Sequence, residues 1–161
     1  MNFSLEFKLI SLGFFIISLI SQVSANYSET LNLMPAPEKI TRKEGVHRID
    51  TSFTIVISTE SSPRLYKYAT RVLRRLTNRT GLFINQGFVK PEQNFENADF
   101  VITAPNREEL GLQMDESYSL KITSDNILLD ADTDIGAMRV LETFLQLLDC
   151  DAKGYYFPQI E

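Results

Sequence analysis

Two spacings of apolar residues alternate along the chain. Phe53-Thr54-Ile55-Val56-Ile57-Ser58 is an unbroken β-branched and apolar run, which predicts a buried strand. After Ser61-Ser62-Pro63 the spacing changes to threes and fours, through Leu65, Tyr68, Ala69, Val72, Leu73 and Leu76. That period predicts an amphipathic helix with Ser62 as N-cap and Pro63 in its first position, ending near residues 78–81. Ile135, Met138, Leu141, Phe144 or Leu145, and Leu148 form a second stripe of this kind. They predict a helix over residues 135–149, capped by Thr133 or Asp134. Between the helices, residues 118–123 alternate apolar with polar, turn at Ser124-Asp125-Asn126 and return over 127–131, a hairpin pattern.

The remaining segments are weaker versions of the same signals. Residues 82–89 and 99–103 predict strands, 90–98 a polar loop, 105–113 a loop with one helical turn, and 155–160 an extended segment. Pro35-Ala36-Pro37 fixes an extended lead-in, because each proline pins its own φ and restricts the residue before it. Glu44-Gly45 reads as the turn of a hairpin over residues 39–49. The order is β-β-β-α-β-β-β-β-α-β. It predicts an α/β (α+β) fold with two helices packed on one mixed, mostly antiparallel sheet and no catalytic barrel.

The N-terminal apolar run is of another kind. Residues 9–20 are too few to cross roughly 30 Å of hydrocarbon, and Val23-Ser24-Ala25 follows with the small residues a signal peptidase requires. The expectation is a signal peptide over residues 1–25, a mature domain over 26–161, and a secreted or periplasmic location with no membrane attachment after cleavage. The net charge of −5 makes nucleic acid a poor partner. Cys150 is the single cysteine and is expected as a small core residue.

Candidate chemistry is sparse. Asp130-Ala131-Asp132-Thr133-Asp134 has the first acidic positions of a calcium loop, but Ile135 stands where glycine is required and Leu141 where a bidentate glutamate belongs. A turn and a helix cap explain it better. Arg64, Lys67, Arg71, Arg74, Arg75 and Arg79 line one side of the first helix, expected as a solvated face or a domain contact. His47 is the only histidine and has no nucleophile motif beside it, so it reads as structural. Asp115-Glu116 lies in a polar stretch with nothing apolar to raise one pKa, as a general acid requires. Glu142 is expected to pair with Arg139 on its own helix. Asn26-Tyr27-Ser28 and Asn78-Arg79-Thr80 match the glycosylation sequon. No catalytic, cofactor-binding or metal-binding residue is predicted, and no cofactor.

These residues together resemble the N-terminal domain of glycoside hydrolase family 20, the β-N-acetylhexosaminidases. Leu33-Met34-Pro35-Ala36-Pro37 resembles the family's apolar-apolar-Pro-x-Pro lead-in. The stretch from Asp115 to Ile122 resembles its Glu-x-Tyr-x-Leu-x-Ile strand, and Ile127-Leu128-Leu129-Asp130-Ala131 the paired one. Gly136-Ala137-Met138-Arg139-Val140-Leu141-Glu142-Thr143-Phe144-Leu145-Gln146-Leu147 is similar to the motif GAxRGLETFxQL, with Val140 where glycine is usual. Phe157-Pro158-Gln159-Ile160-Glu161 resembles the approach to a catalytic barrel. The resemblance implies a sheet-backed, two-helix domain packed beside a (β/α)8 barrel of an exported glycosidase. In such a barrel an Asp-Glu pair works with the substrate's own acetamido oxygen.

None of that machinery maps onto a position here. The expectation is therefore an accessory domain, inactive alone, from a truncated product or fragment. Its partner is a family-20 barrel, in the same chain or in trans, and glycan is met only through that barrel. The competing expectation is a stand-alone exported module binding glycans or proteins. Adjacent Tyr155 and Tyr156 would point to opposite faces of a strand, which weakens any stacking platform.

Overall fold

The computed structural model describes residues 31–85, 87, 89 and 97–161. The expected signal peptide, the Asn26 sequon and most of the polar loop at 90–98 lie outside the described residues. The chain from Asn32 to Glu161 forms one compact unit. Its elements are β1 (Arg42–Arg48), β2 (Ile55–Ile57), α1 (Pro63–Thr80), β3 (Phe100–Thr103), β4 (Ser119–Ile122), β5 (Ile127–Asp130), α2 (Asp134–Gln146), β6 (Asp149–Asp151) and β7 (Gly154–Ile160). The strands build one mixed sheet in the order β1-β7-β4-β5-β3-β2, with β6 also paired to β7. Only β2–β3 and β3–β5 are parallel. The other ladders are antiparallel. Two helices on an open mixed sheet are what the apolar spacings predicted.

Register explains the core. Ile55, Phe100, Ile127, Ile122 and Ile160 are neighbours across five strands, and Ile57, Ile102, Leu129 and Leu120 form the next row. All nine are buried. The outward row between them, Val56, Val101, Leu128 and Lys121, is half-buried or exposed, as period-2 alternation demands. On the inward face α2 drives Phe144 into the sheet. Its ring stacks on Phe157 at 4.1 Å, leans on Phe100 at 4.7 Å, and lies parallel to Phe53 at 6.4 Å. Each aromatic pair adds about 0.5–1.5 kcal/mol beyond the area it buries.

The helix ends follow the sequence chemistry. Ser62 caps α1, accepting from the Leu65 N–H, and Pro63 occupies the first turn. Gly81 ends α1 at φ 70°, donating to the Thr77 carbonyl. Thr133, not Asp134, caps α2, accepting from the Gly136 N–H at 3.0 Å.

Several expectations are corrected. Residues 39–49 are not a hairpin. Glu44-Gly45 sits inside β1, where the pairing with β7 slips between Arg42 and Val46, and Gly45 adopts φ 107°. The turn signal marked a bulge, which needs the same left-handed glycine. The second helix stops at Gln146, and Asp149–Asp151 turns back as β6 against β7. Cys150 is consequently exposed on that edge and not in the core. Residues 82–85 form no strand, although Ile84 is buried, and the Val89 N–H instead docks on the Thr70 hydroxyl at 3.0 Å.

Gly136 is packed where no side chain fits. A Cβ there would lie 2.4 Å from the Ser117 carbonyl oxygen and 3.2 Å from the Ala131 methyl. Gly136→Ala, which at an open helix position would gain about 1 kcal/mol, should here lose about 1–3 kcal/mol in urea denaturation. His47 is buried beside Phe53, and neither ring nitrogen has a partner among the described residues. Since an unmet buried polar group costs about 1–3 kcal/mol, His47→Leu should match or exceed the parent in thermal midpoint.

Candidate functional site

Among the described residues the Asp134 carboxylate is the most fully buried charged group. Its side chain is 0 % exposed. As first residue of α2 it points away from its own helix, toward the start of α1. The Ser62 hydroxyl donates to Oδ2. Arg64 clamps both oxygens, from Nε at 2.5 Å and from a terminal nitrogen at 2.6 Å. The Glu108 N–H donates to Oδ1 at 3.0 Å, and Arg64 returns a bond to the Glu108 carbonyl. Three segments therefore converge on one anion: the N-terminus of α1, the N-terminus of α2 and the loop after β3. Both helix starts add their positive ends. Burial pushes the carboxyl up, but Arg64, the Glu108 N–H and Ser62 outweigh it and hold it at about 2. A carboxylate this stabilised, with both oxygens occupied, is a structural anchor and not a proton donor.

A second node lies lower between the helices. Glu142 takes the Tyr68 hydroxyl at 2.5 Å and an ion pair from Arg75. Arg75 holds the Glu142 carboxyl below its usual range, with Tyr68 adding to it. Burial, then the same carboxylate, pushes the Tyr68 phenol up. Arg79 donates to the Leu145 carbonyl at 2.6 Å. The predicted pairing of Glu142 with Arg139 is therefore wrong. Neighbouring α1 offered Glu142 a nearer cation, and Arg139 reaches Glu116 at 2.7 Å instead.

The basic stripe of α1 is split by its bonding rather than by its burial: Arg64, Arg75 and Arg79 bond to α2, although Arg75 and Arg79 are exposed like Lys67, Arg71 and Arg74. Sequence reasoning read all six alike because the helical period cannot show which neighbour stands beside a helix. Asp134 was missed as an anchor for the same reason, although Ser62 and Arg64 near one helix start were its only local trace.

Asp115 and Glu116 do not form a facing acid pair. Asp115 is held below its usual range by the Ser117 side chain and then by the Ser117 N–H, which donates to it at 2.8 Å, and Glu116 is engaged by Arg139. Of the calcium-like run, Asp130 and Asp132 are exposed while Asp134 turns inward, so the three do not converge. Tyr156 is covered by the Arg48 guanidinium at 5.6 Å and donates its hydroxyl to Asp149 at 2.9 Å. That ring face is taken by protein. Among the described residues no group of His, Cys, Asp and Glu is arranged to hold a metal, and no helix is long and apolar enough to cross a membrane.

A concavity of about 500 Å3 lies elsewhere, between residues 33–40 and the end of the sheet at β4 and β7. Its lining is mostly apolar, with charges at its rim.

A family model described as beta-acetyl hexosaminidase like matches residues 33–147, from the proline lead-in to the end of α2. Beta-hexosaminidase subunit alpha of Rattus norvegicus is 44 % identical over 57 residues, 35 % of this chain and 11 % of that protein. The Mus musculus protein of the same name matches to the same extent. Among solved structures, a chitobiase of Flavobacterium johnsoniae is similar with a TM-score of 0.76 and 41 % identity, covering 81 % of this chain and 20 % of that one. A Bacteroides fragilis β-N-acetylhexosaminidase shares the fold, with a TM-score of 0.53 at 20 % identity over 80 % of this chain and 23 % of that one. The chain thus spans about a tenth of the curated relatives and about a fifth of these solved chains.

The Asp134 anchor has a pH signature. Its folded pKa of about 2 lies below the ordinary 3.8, so its contribution is full above about pH 4 and is lost as pH falls toward 2. A drop from 3.8 to about 2 corresponds to about 2.5 kcal/mol. Asp134→Asn should therefore cost about 3 kcal/mol at pH 7, with the gap to the parent narrowing sharply at pH 2. Urea denaturation of both chains at the two pH values measures it.

Proposed function

Because the chain belongs to the beta-acetyl hexosaminidase-like family, we propose that it is the N-terminal accessory domain of an exported β-N-acetylhexosaminidase. In this reading it packs against a family-20 catalytic barrel, joined to it or separate, and supports that barrel's structure. The observation carrying the proposal is the 41 % identical, TM-score 0.76 match to a fifth of a chitobiase chain. The parent activity would be removal of terminal N-acetylhexosamine residues from glycans, by retaining, substrate-assisted chemistry. The barrel's Asp-Glu pair would carry it out. On this side of the partnership the carboxylates have structural work. Asp134 and Glu142 are spent on tying the two helices together, and Glu116 on Arg139. Export is supported by the apolar run at residues 9–20 followed by Val23-Ser24-Ala25.

Two measurements test the proposal. The purified chain should give no turnover of a chromogenic N-acetylglucosaminide. Mixed with the part of the F. johnsoniae chitobiase outside its matched fifth, it should form a complex on gel filtration and raise that portion's thermal midpoint. Turnover by the chain alone, persisting after host hexosaminidases are deleted, or failure to form the complex, would refute it.

A further inference from the structure

The loop after β3 leaves the fold and returns to it at one place. Its first end is tied to the start of α2. The Asp134 N–H donates to the Asn106 carbonyl at 2.9 Å, and the Glu108 N–H to the Asp134 carboxylate at 3.0 Å. Arg64, itself clamped on Asp134, donates to the Glu108 carbonyl. The second end is tied to the cap of the same helix, where the Thr133 hydroxyl donates to the Asp115 carbonyl at 2.8 Å. Between these ties residues 109–113 are all exposed, and they form the tip of a short tongue.

That tip is apolar. Leu110 is 75 % exposed and Leu112 106 %, so Leu112 stands clearer of protein than a leucine in an extended peptide. Single leucines scattered over a surface need no explanation, but two at the tip of a doubly tied loop do. Gly111 separates them. Its φ lies outside the left-handed region, and a Cβ added there would meet no described atom within 4 Å. Neither backbone geometry nor space within this domain requires glycine at 111, in contrast to Gly136. Bare backbone at such a point serves a neighbour that approaches closely.

We infer that this tongue is a docking element: Leu110 and Leu112 enter an apolar socket on the catalytic barrel, with the Gly111 backbone against the socket wall. The identity of the partner rests on the accessory-domain reading. Tied at both ends, the tongue loses little conformational freedom on docking, and the Asp134 anchor sets where it stands. Other occupants fit less well. Two leucines offer far less than the roughly 800 Å2 per partner that a stable dimer buries, so the tongue adds to an interface made by a larger surface rather than pairing two copies. Glu108, Glu109, Asp115 and Glu116 outnumber Arg107 around it, a collar repelled by an anionic lipid surface and matched by a socket with a basic rim. No aromatic side chain occurs from Pro105 to Ser117 on which a sugar could stack.

The test uses an intact enzyme. This chain replaces the matched 20 % of the F. johnsoniae chitobiase, and the chimera is compared with the chain by itself. Each carries the parent sequence, Leu110→Ser with Leu112→Ser, or Gly111→Val. By itself, the chain should show the same urea midpoint in all three forms, because the tip touches nothing of its own domain. In the chimera both variants should lower the thermal midpoint by about 4 °C. Hydroxyl-radical labelling of Leu110 and Leu112, read by mass spectrometry, should be roughly tenfold slower in the parent chimera than in the lone chain. An active chimera whose leucines label as fast as in the lone chain, or whose variants melt with the parent, overturns the docking tongue and leaves the accessory-domain reading standing. A parent chimera without turnover overturns that reading and the barrel as partner together. Loss of stability in the lone-chain variants assigns the leucines to this domain's own fold, and a dimer of the lone chain that the serine variant dissolves assigns them to a second copy. Either result overturns the inference.

Discussion

One buried anion organises this domain. Asp134 gathers the start of α1, the start of α2 and the loop after β3 onto a single carboxylate. The arrangement is costly to assemble, because a charge must leave water, and it is stable only because every lone pair meets a donor. Once formed it fixes the relative height of the two helices. That height decides whether Phe144 meets Phe157 and Phe100 and whether Glu142 can reach Tyr68 and Arg75. The polar joint and the aromatic core are two ends of the same constraint.

That economy bears on what the domain can do. A glycosidase keeps one carboxyl protonated and another ionised within a few ångströms of a sugar. Here the carboxylates of the helix layer are held ionised by arginines, which suits an element that must keep its shape beside something else. Such a design is compatible with the supporting role proposed above for this member of the beta-acetyl hexosaminidase-like family.

Much of this was legible in the chain. Both helices were marked by apolar period and by caps at Ser62 and Thr133, and the hairpin of β4 and β5 by alternation around Asp125-Asn126. What escaped had common causes. Glu44-Gly45 requires a left-handed backbone whether the chain reverses or bulges, so local chemistry could not choose. The end of α2 has no glycine or proline behind Gln146, and its C-cap Leu147 stays in right-handed helical geometry, so the apolar period ran on through Leu148. Cys150 was assigned to the core with that overlong helix. The partners of Glu142 and Arg64 lie 67 and 70 residues away. Spacing within one helix carries no information about such distances.

The pairing of β1 with β7 places Arg42 beside Ile160. A ladder joining the two ends of a fold is slow to find, since a long loop must close before any bond repays it. During synthesis the ribosome delivers β1 long before its neighbour. The nascent domain can dock α1 on β2 and β3, yet β1 must wait as an unpaired edge until β7 emerges. Its charges, Arg42, Lys43, Glu44 and Arg48, are then what keeps that waiting edge from joining another chain.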